Sequence, residues 1–460
     1  MSDLDVPKLD GSSSAREQRG WMYYDWANSV FQTSVITVFL SLYLTGVARA
    51  DAEASGQRCE TALVDCDVSF LGLQIPAGSV FPYLLSIATV VQLLVLPIAG
   101  AIADRTQNKR KMLGWFAMIG AAATALLALV AGTNWQLAVW LFLIANVGYG
   151  ASIVVYYAFL PEIVGPDERD RLSTRGWAFG YLGGGVALAV HLAIYLGRDQ
   201  LGLTESEAVR VCFLTAGIWW AAFTLIPLRR LKRHQAPQGD ERGAAVLIGG
   251  FRQLGHTLRD ARNYPLTLAF LGAYLIFTDG ISTVAQIAGL YGEQELKLSR
   301  DVLITTILIV QFVAFGGGHL HGALARRLGA KRTILVSLVL WVLVVTAAYF
   351  VQAGDQLQFY GVAFGIGLVL GGTNALARSL FSQMIPPGKE AEYYSLYELG
   401  ERGTSWLGPL LFGAVAATTG SYRPAIISLI VFFVLGFILV ALVPARRAIA
   451  AVGNPEPTLV

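Results

Sequence analysis

Two related stretches of sequence decide the fold: GAIADRTQNKRKML at residues 100–113 and GALARRLGAKRTIL at residues 322–335. Each follows an apolar segment, and the second begins 222 residues after the first (322 minus 100). A pair of tripeptides, VGP at residues 164–166 and IPP at residues 385–387, recurs at nearly the same separation. This spacing predicts two six-helix halves related by a parallel repeat, with a substrate site between them.

The composition indicates that lipid surrounds most of this chain. Hydrophobic residues make up 55% of its 460 residues and charged residues only 14%, whereas soluble domains carry about 25% charge. A segment of about 20 apolar residues can cross a bilayer. The twelve candidates are 21–47, 79–103, 112–131, 135–160, 174–197, 210–228, 265–291, 302–321, 333–351, 357–382, 395–417 and 423–443. We therefore predict an all-α membrane protein of about twelve transmembrane helices in two six-helix pseudo-repeats.

The polar stretches between these segments divide the chain into parts. The longest polar stretch, residues 229–264, separates an N-terminal half at 21–228 from a C-terminal half at 265–445, and tails at 1–20 and 446–460 flank them. The end of the chain, GNPEPTLV from Gly453, is typical of a disordered segment.

The linker contains a helical pattern of its own. Apolar side chains recur there at helical spacing, opposite charged ones, at Leu247, Phe251, Leu254 and Leu258. This pattern predicts an amphipathic helix on the membrane surface, and a soluble helix packed under the bundle is the alternative.

Positive charge gives the predicted orientation. Most of the 34 lysine and arginine residues fall on one side of the bundle, the exceptions being Arg49, Arg58, Arg198, Arg210, Lys297, Arg300 and Arg423. Because positively charged loops stay in the cytoplasm, we expect both termini there and the bundle in the inner (cell) membrane.

The net charge of +3 gives no indication of nucleic-acid binding. We expect a monomer whose partners are membrane lipid and a small-molecule solute.

Residues 100–111 resemble the signature loop of the major facilitator superfamily: a glycine, then Asp-Arg four residues on, then a basic cluster. The resemblance implies that Gly100 allows close approach of a partner helix and that Asp104 caps or pairs with the eleventh span. It also places Arg105 in a cytoplasmic ion-pair lock. The second copy has Arg326 where the acidic residue stands in the first, and we count Arg326 and Arg327 among the cytoplasmic gate residues. Gln107 departs from the pattern, which usually has glycine there. A plain positively charged loop is the alternative.

A second resemblance covers most of the chain. The motifs are YYDWANSVF at residues 23–31, STRGWAFGYLGGG at 173–185 and GGTNALARSLFSQMIPPGKEAEYYSLYELGERGTSWLGPLLFG at 371–413, with Asp279-Gly280 in the seventh span. They resemble bacterial relatives of the vacuolar amino-acid effluxer family linked to autophagy. The resemblance implies a major facilitator fold, and amino-acid efflux is what it implies for the vacuolar members.

Acidic residues inside spans are costly, so they usually line a cavity or pair with one another. Asp279 stands about 22 Å into its span at 1.5 Å per residue, out of reach of loop charges, and is our first candidate for proton coupling. The alternative is a carboxylate that neighbouring hydroxyls satisfy and that only holds helices together. Asp25 stands about 7 Å into the first span, where it could line a cavity or cap the helix at the interface.

Further polar and aromatic residues could contact a solute in the cavity. Asn28 and Gln32 lie one turn apart on the first span, and the remaining candidates on the fourth and tenth spans are Tyr156, Tyr157, Asn374 and Arg378. Arg378 stands near the cytoplasmic end of its span, so its side chain could instead reach the membrane surface.

Three charged residues open the eleventh span: Glu398, Glu401 and Arg402. Their i, i+3, i+4 spacing puts them on one helix face. We hypothesise that Arg105 pairs with Glu398 or Glu401 to close a cytoplasmic gate, and static contact between the halves is the alternative.

Cys59 and Cys66 fall in the first external loop, where an oxidising compartment would permit a disulfide. Two free thiols are the alternative. The sequence contains no phosphate-binding G-x-x-x-x-G-K-[ST] loop, nucleophile elbow or zinc-ligand spacing, so we predict neither an enzyme nor a metal or cofactor site.

The function predicted from these patterns is secondary active transport of a small solute by alternating access, driven by a proton or solute gradient. A membrane receptor or scaffold and a lipid flippase are the alternatives. Polar residues facing a cavity from both halves would favour the carrier, and an apolar filling would favour the scaffold. A lateral opening with an apolar lining would favour the flippase.

Overall fold

The computed structural model describes residues 11–59, 66–70, 72–105, 108–232 and 259–460, and this part of the chain is almost entirely helical. The first half contains α1 (Gly11–Val30, continued by π-helical Phe31–Leu40 and by Ser41–Ala54), α2 (Val80–Arg105), α3 (Lys109–Leu126), α4 (Trp135–Ala158), α5 (Pro166–Leu196) and α6 (Glu205–Arg230). A short antiparallel hairpin of β1 (Asp67–Phe70) and β2 (Leu73–Pro76) stands between α1 and α2.

The second half repeats this succession of helices. It contains α7 (Pro265–Gln294), α8 (Arg300–Leu328), α9 (Ala330–Phe350), α10 (Gln356–Gln383), α11 (Glu390–Thr404 and Leu407–Thr419), α12 (Tyr422–Ser428 and Ile430–Leu442) and the short α13 (Ala445–Ala451). The predicted linker helix at 247–258 lies outside the described residues.

Eleven helices in the described part of the chain are long and apolar enough to cross a membrane. The twelfth membrane helix, α11, fails that criterion for two physical reasons. Its first segment is polar, with Glu398, Glu401 and Arg402 among its residues, and the helix is broken between Thr404 and Leu407. Such a segment stays in a bilayer only when protein covers its charges and its free backbone groups.

The helices alternate in direction, which gives the bundle two ends. The start of α1 meets the end of α6 at one end, where the backbone N–H of Lys232 donates to Glu17. We call this end the terminal face, because the last residues of the chain also lie there. We call the opposite end the hairpin face, after β1 and β2. There, for example, the Arg423 guanidinium at the start of α12 contacts Glu295 at 3.2 Å.

The end of the chain differs from the sequence-based expectation of disorder. The Asn454 side-chain amide donates to the carbonyls of Gln383 and Ile385 at 2.8 and 2.7 Å. The backbone N–H of Thr458 donates to the carboxylate of Asp167, in the first turn of α5, at 2.6 Å. These hydrogen bonds order the segment across the terminal face, where it contacts both halves.

Close helix contacts depend on glycine at particular positions. Gly372 on α10 faces the imidazole of His321 on α8, and a Cβ at Gly372 would overlap that ring. His321 cannot easily turn away, because its Nδ1 bonds the Gly317 carbonyl at 2.8 Å and its Nε2 pairs with the Ser337 hydroxyl at 2.7 Å. Small residues that let backbones approach are the usual basis of helix packing in membranes.

We predict that Gly372→Ala destabilises the protein whereas Gly361→Ala, on the same helix, does not. The overlap with His321 should cost about 1–3 kcal/mol. Nothing lies within 4 Å of a Cβ at Gly361, where alanine also favours the helix. The measurement is the thermal unfolding midpoint of each purified variant in detergent. Equal midpoints for the two variants would contradict the close α8–α10 contact.

Candidate transport site

A cavity of about 450 Å³ lies between the two halves. Helices α1, α4 and α5 line it on one side, and α7, α8, α10 and α11 on the other. Its charged and amide side chains come from both halves and are Asp25, Asn28, Gln32, Gln286, Gln311, Asn374, Glu398, Glu401 and Arg402. Aromatic residues complete the wall, among them Tyr149, Tyr157, Trp177 and Tyr181. The size is ordinary for a small-molecule site, but the lining is more polar than most.

Three charged side chains of α11 face the cavity. The Arg402 guanidinium donates to the Glu398 carboxylate at 3.2 Å, one turn away on the same helix. Glu401 accepts a hydrogen bond from the Tyr274 hydroxyl, and Tyr274 is itself held by stacking on Tyr397, with ring centroids 4.0 Å apart. The cavity therefore offers two oriented carboxylates and one guanidinium within a single turn of helix.

These three residues lie deeper in the bundle than the sequence-based gate placed them. We expected Glu398, Glu401 and Arg402 at the cytoplasmic opening of the eleventh span, but α11 begins at Glu390 rather than at the predicted 395. Glu398 is thus about two turns inside the helix, at the cavity. The side chain of Arg105, the predicted partner, lies outside the described part of the chain. Arg326 and Arg327 are exposed in the last turn of α8.

Gly100 and Asp104 connect the halves at the terminal face. A Cβ at Gly100 would lie 2.6 Å from the Ala391 carbonyl oxygen, so α2 and α11 are in backbone contact. The Asp104 carboxylate accepts from the backbone N–H groups of Ala391 and Glu392 at 3.0 and 2.8 Å, and this caps the first turn of α11. Lys109 lies 3.5 Å from Asp104 and also bonds Glu162.

Arg378 lies beneath the cavity floor, on the side of the terminal face, and is only 1% exposed. Its Nε and Nη2 donate to the hydroxyl and the carbonyl of Ser173, each at 2.9 Å. The guanidinium carbon lies 4.7 Å from the ring centre of Tyr157 and 4.9 Å from that of Trp21. The alternative that this side chain reaches the membrane surface is wrong, because α5 and two aromatic rings enclose it.

Asp25 connects the cavity to this buried arginine. Its carboxylate lines the cavity, accepts from the Tyr156 hydroxyl at 2.7 Å and lies 3.7 Å from Arg378 Nη1. Because α1 begins at Gly11, Asp25 is well inside the helix and is not the interfacial cap that we considered. Tyr156 and Arg378 are absent from the cavity wall, whereas Tyr157, Asn28, Gln32 and Asn374 line it as expected.

Asp279 lies away from the cavity, at the break in α11. Its Oδ2 accepts from the backbone N–H of Gly408, in the first turn of the second α11 segment, at 2.7 Å. Its Oδ1 is buried without a hydrogen-bond partner among the described residues. The contact is that of a helix cap, which satisfies an amide that the break leaves free. A hydroxyl network around Asp279 is not what holds it.

Several residues of the site escaped sequence reasoning. Gln286 and Gln311 line the cavity, and their amides in otherwise apolar spans were a signal that could have found them. Ser173 gave no such signal, because a hydroxyl in a span usually bonds its own helix. Trp21 precedes the motif at residues 23–31 and Trp177 lies in the motif at residues 173–185, but only the fold shows that both rings face Arg378.

On the hairpin face, Cys59 and Cys66 form a disulfide immediately before β1. Of the two alternatives for these cysteines, the structure contains the bonded one. The remaining cysteine, Cys212, is buried in α6 and its thiol contacts the carbonyl of His191.

Residues 13–453 match the protein family described as vacuole effluxer Atg22 like. The chain belongs to this family. It is 28% identical over 435 residues to a protein of Bacillus subtilis (strain 168) named uncharacterized MFS-type transporter YxiO, covering 94% of this chain and 96% of that protein. It is also 28% identical over 537 residues to autophagy-related protein 22-2 of Emericella nidulans, covering 94% and 91%.

Solved structures show the fold of this Atg22-like chain. The major facilitator superfamily transporter FucP, crystallised in the outward conformation, superposes with a TM-score of 0.67 at 14% identity, over 95% of this chain and 99% of FucP. A bacterial homologue of the iron transporter ferroportin, in an outward-facing state, gives a TM-score of 0.60 over 96% and 99%. The chain is thus a multi-pass membrane protein of the major facilitator type, as the sequence predicted.

We predict that Asp279→Ala lowers the stability of the protein and that Asp279→Asn largely preserves it. Alanine leaves the Gly408 amide without its acceptor, at a cost of about 1–3 kcal/mol, whereas the asparagine carbonyl can still accept. The comparison is between thermal unfolding midpoints in detergent, with wild type measured alongside. An asparagine variant as unstable as the alanine variant would show that the negative charge, rather than the acceptor, is required.

Proposed function

We propose that this Atg22-like protein is a secondary active transporter that moves a small solute with a cationic amine, of the amino-acid class, by alternating access. The observation that carries the proposal is the charged lining of the central cavity. Glu398 and Glu401 could accept the amine of a solute, while Arg402, on the same helix face, could bind its carboxylate. A zwitterion would thus find complementary charges within one turn of α11.

The alternatives that we considered predict other cavities. A scaffold would fill the space with leucine and phenylalanine, and a flippase would line a lateral opening with apolar side chains. In the described part of the chain, charged and amide groups face the cavity from both halves. Burying so many polar groups in a membrane protein is costly unless a ligand or water uses them, which supports the carrier.

The contacts between the halves support alternating access. Near the terminal face, α2 meets α11 at Gly100 and Asp104, and α5 meets α10 where the Ser379 hydroxyl donates to Asp170 at 2.6 Å. These contacts close the cavity on that side. If the termini are cytoplasmic, as we propose from the positive charges, the cavity is closed to the cytoplasm, and two structures of the same fold, FucP and the ferroportin homologue, were crystallised in outward-facing states. We further propose that the protein acts as a monomer in the cell membrane.

For the driving force we propose a proton gradient. Asp279 stays a candidate because one of its buried oxygens has no hydrogen-bond partner among the described residues. Glu398 and Glu401 are alternatives that face the cavity directly. A carboxylate in the cavity that takes up a proton loses its negative charge and, with it, its attraction for the solute amine. Protonation and solute binding would therefore compete there.

We predict that Glu398→Gln and Glu401→Gln each lower amino-acid counterflow in proteoliposomes by at least about fivefold, because each removes a charge from the solute site. The control is Glu293→Gln, at an exposed glutamate in the last turn of α7 near the hairpin face, which should transport at the wild-type rate. Counterflow of a mixture of labelled amino acids is the measurement. Wild-type rates for both cavity variants would remove the site from this function.

Asp279→Asn tests the source of the proton separately. If Asp279 carries the coupling proton, the asparagine variant should still exchange solute in counterflow but lose the pH dependence of net uptake. Net uptake is measured in proteoliposomes with an imposed pH gradient of either sign. A pH dependence equal to that of wild type would assign Asp279 to the α11 cap alone and direct the search to Glu398 and Glu401.

A further inference from the structure

Arg378 belongs to the second half, but its guanidinium is bound by residues of the first half. The residue belongs to α10, yet its polar contacts at Ser173 are on α5 and the carboxylate nearest to it, Asp25, is on α1. The rings of Trp21, Tyr157 and Trp177 that surround it are likewise on α1, α4 and α5. We call this set of first-half residues the arginine socket.

Opening of the terminal face requires the Arg378 guanidinium to leave the arginine socket. The helices α5 and α10 are in direct contact there, since the Ser173 hydroxyl also donates to the Ala375 carbonyl at 2.6 Å. Withdrawing α10 from α5 would break the bonds of Arg378 to Ser173 and leave the charge of Asp25 without its partner. Separating a buried, hydrogen-bonded charge from its counter-charge is strongly unfavourable, so the filled socket holds this face closed.

A cation in the cavity could replace Arg378 as the partner of the Asp25 carboxylate. The 3.7 Å between the Asp25 carboxylate and Arg378 Nη1 is too long for a hydrogen bond, and Nη1 has no other hydrogen-bond partner among the described residues. The pair is therefore held by charge alone. The same carboxylate lines the cavity, where a cation on a solute could approach it closely.

We propose that Arg378 is a positioning residue that keeps the terminal face closed, and that a cationic amine on the solute releases it by taking over the charge of Asp25. This rests on the proposed transport function, which it deepens: Asp25, at the cavity floor, joins Glu398 and Glu401 as a carboxylate that the solute amine reaches, and occupancy becomes the signal for opening. The solute carboxylate is left for Arg402. A solute without a cation would leave the arginine in place.

The test reports opening at a contact between the halves whose own residues the socket variants do not change. Ser395 on α11 is 2% exposed and packs against Gly100 of α2, so a cysteine there reacts with a maleimide only when the terminal face opens. Ser395→Cys is introduced with Cys212→Ala, and the Cys59–Cys66 disulfide does not react. The labelling rate of this full-length protein is measured in detergent, without solute and with an equimolar mixture of the common L-amino acids other than cysteine, lysine, arginine and histidine, or with the Nα-acetylated form of that mixture.

Arg378→Gln should raise the labelling rate without solute by roughly tenfold or more, and Asp25→Asn should raise it to a similar level, because each breaks the charge pair. Arg378→Lys, which keeps the charge but not the fork of donors, should give an intermediate rate. The control is Arg423→Gln, whose arginine bonds Glu295 and the Tyr349 carbonyl within one half at the hairpin face and should leave the rate unchanged. Size-exclusion profiles and thermal midpoints separate opening from misfolding.

The amino-acid mixture should speed labelling of the Ser395→Cys protein, the acetylated mixture should not, and Asp25→Asn should be insensitive to both. Low labelling in folded Arg378→Gln or Asp25→Asn protein would overturn the proposal, and so would a response of Asp25→Asn equal to that of the parent. If both variants are labelled quickly but the amino-acid mixture does not change the labelling rate of the Ser395→Cys parent, Arg378 does keep the face closed. Amino acids are then wrong as the solute class. Counterflow of the same mixture, measured on the parent, then decides the proposed function itself.

Discussion

The inability of lipid to form hydrogen bonds is the constraint on which this structure depends. Every backbone amide in the bilayer has to be satisfied by the protein, so the described chain is helical wherever it crosses and its polar side chains turn towards other helices. The one interruption discussed here, in α11, shows how strict this requirement is. Side chains of Thr404, Ser405 and Trp406 bond the last carbonyls of the first segment, and Asp279 caps the start of the second.

The same constraint explains how charge is distributed between the two ends of the cavity. Charges that face it, on α11, are close to one another and to a tyrosine hydroxyl, and charges beneath it are paired across the two halves. A carrier needs charged groups that can exchange one partner for another without remaining unpaired in an interior that excludes water. Asp25 has this property because it contacts both the cavity and the buried guanidinium of Arg378.

Much of the fold could be predicted from the sequence, and the reason is physical. Apolar length and the repeated basic loops depend on the bilayer itself, so they give the helix number and the two halves. The family followed from the resemblance of the motifs at residues 23–31, 173–185 and 371–413. The resemblance of the signature loop led directly to Gly100 and Asp104. The polar lining of α1, with Asn28 and Gln32, followed from the cost of burying amides in lipid.

The remainder depended on how the helices fit together. Helix ends were misplaced where a helix extends beyond the apolar stretch, and the early start of α11 moved Glu398 and Glu401 from a gate to the cavity. Arg378 was predicted to line the cavity, with the membrane surface as the alternative, because its partners are some 200 positions away in the sequence, as the separation of 205 between Ser173 and Arg378 illustrates. The order at the end of the chain depends on acceptors at Asp167, Gln383 and Ile385, which no local pattern reveals.

The interruption of α11 also has a mechanical consequence. In an unbroken helix, a sharp change of axis would stretch or rupture i→i−4 backbone bonds on the outer side of the curve. Here the carbonyls around the junction already bond the side chains of Thr404, Ser405 and Trp406. The first segment, which carries Glu398 and Glu401, can therefore pivot away from α2 and α4 while the second segment stays with α7 and α12. The joint can bend at little enthalpic expense.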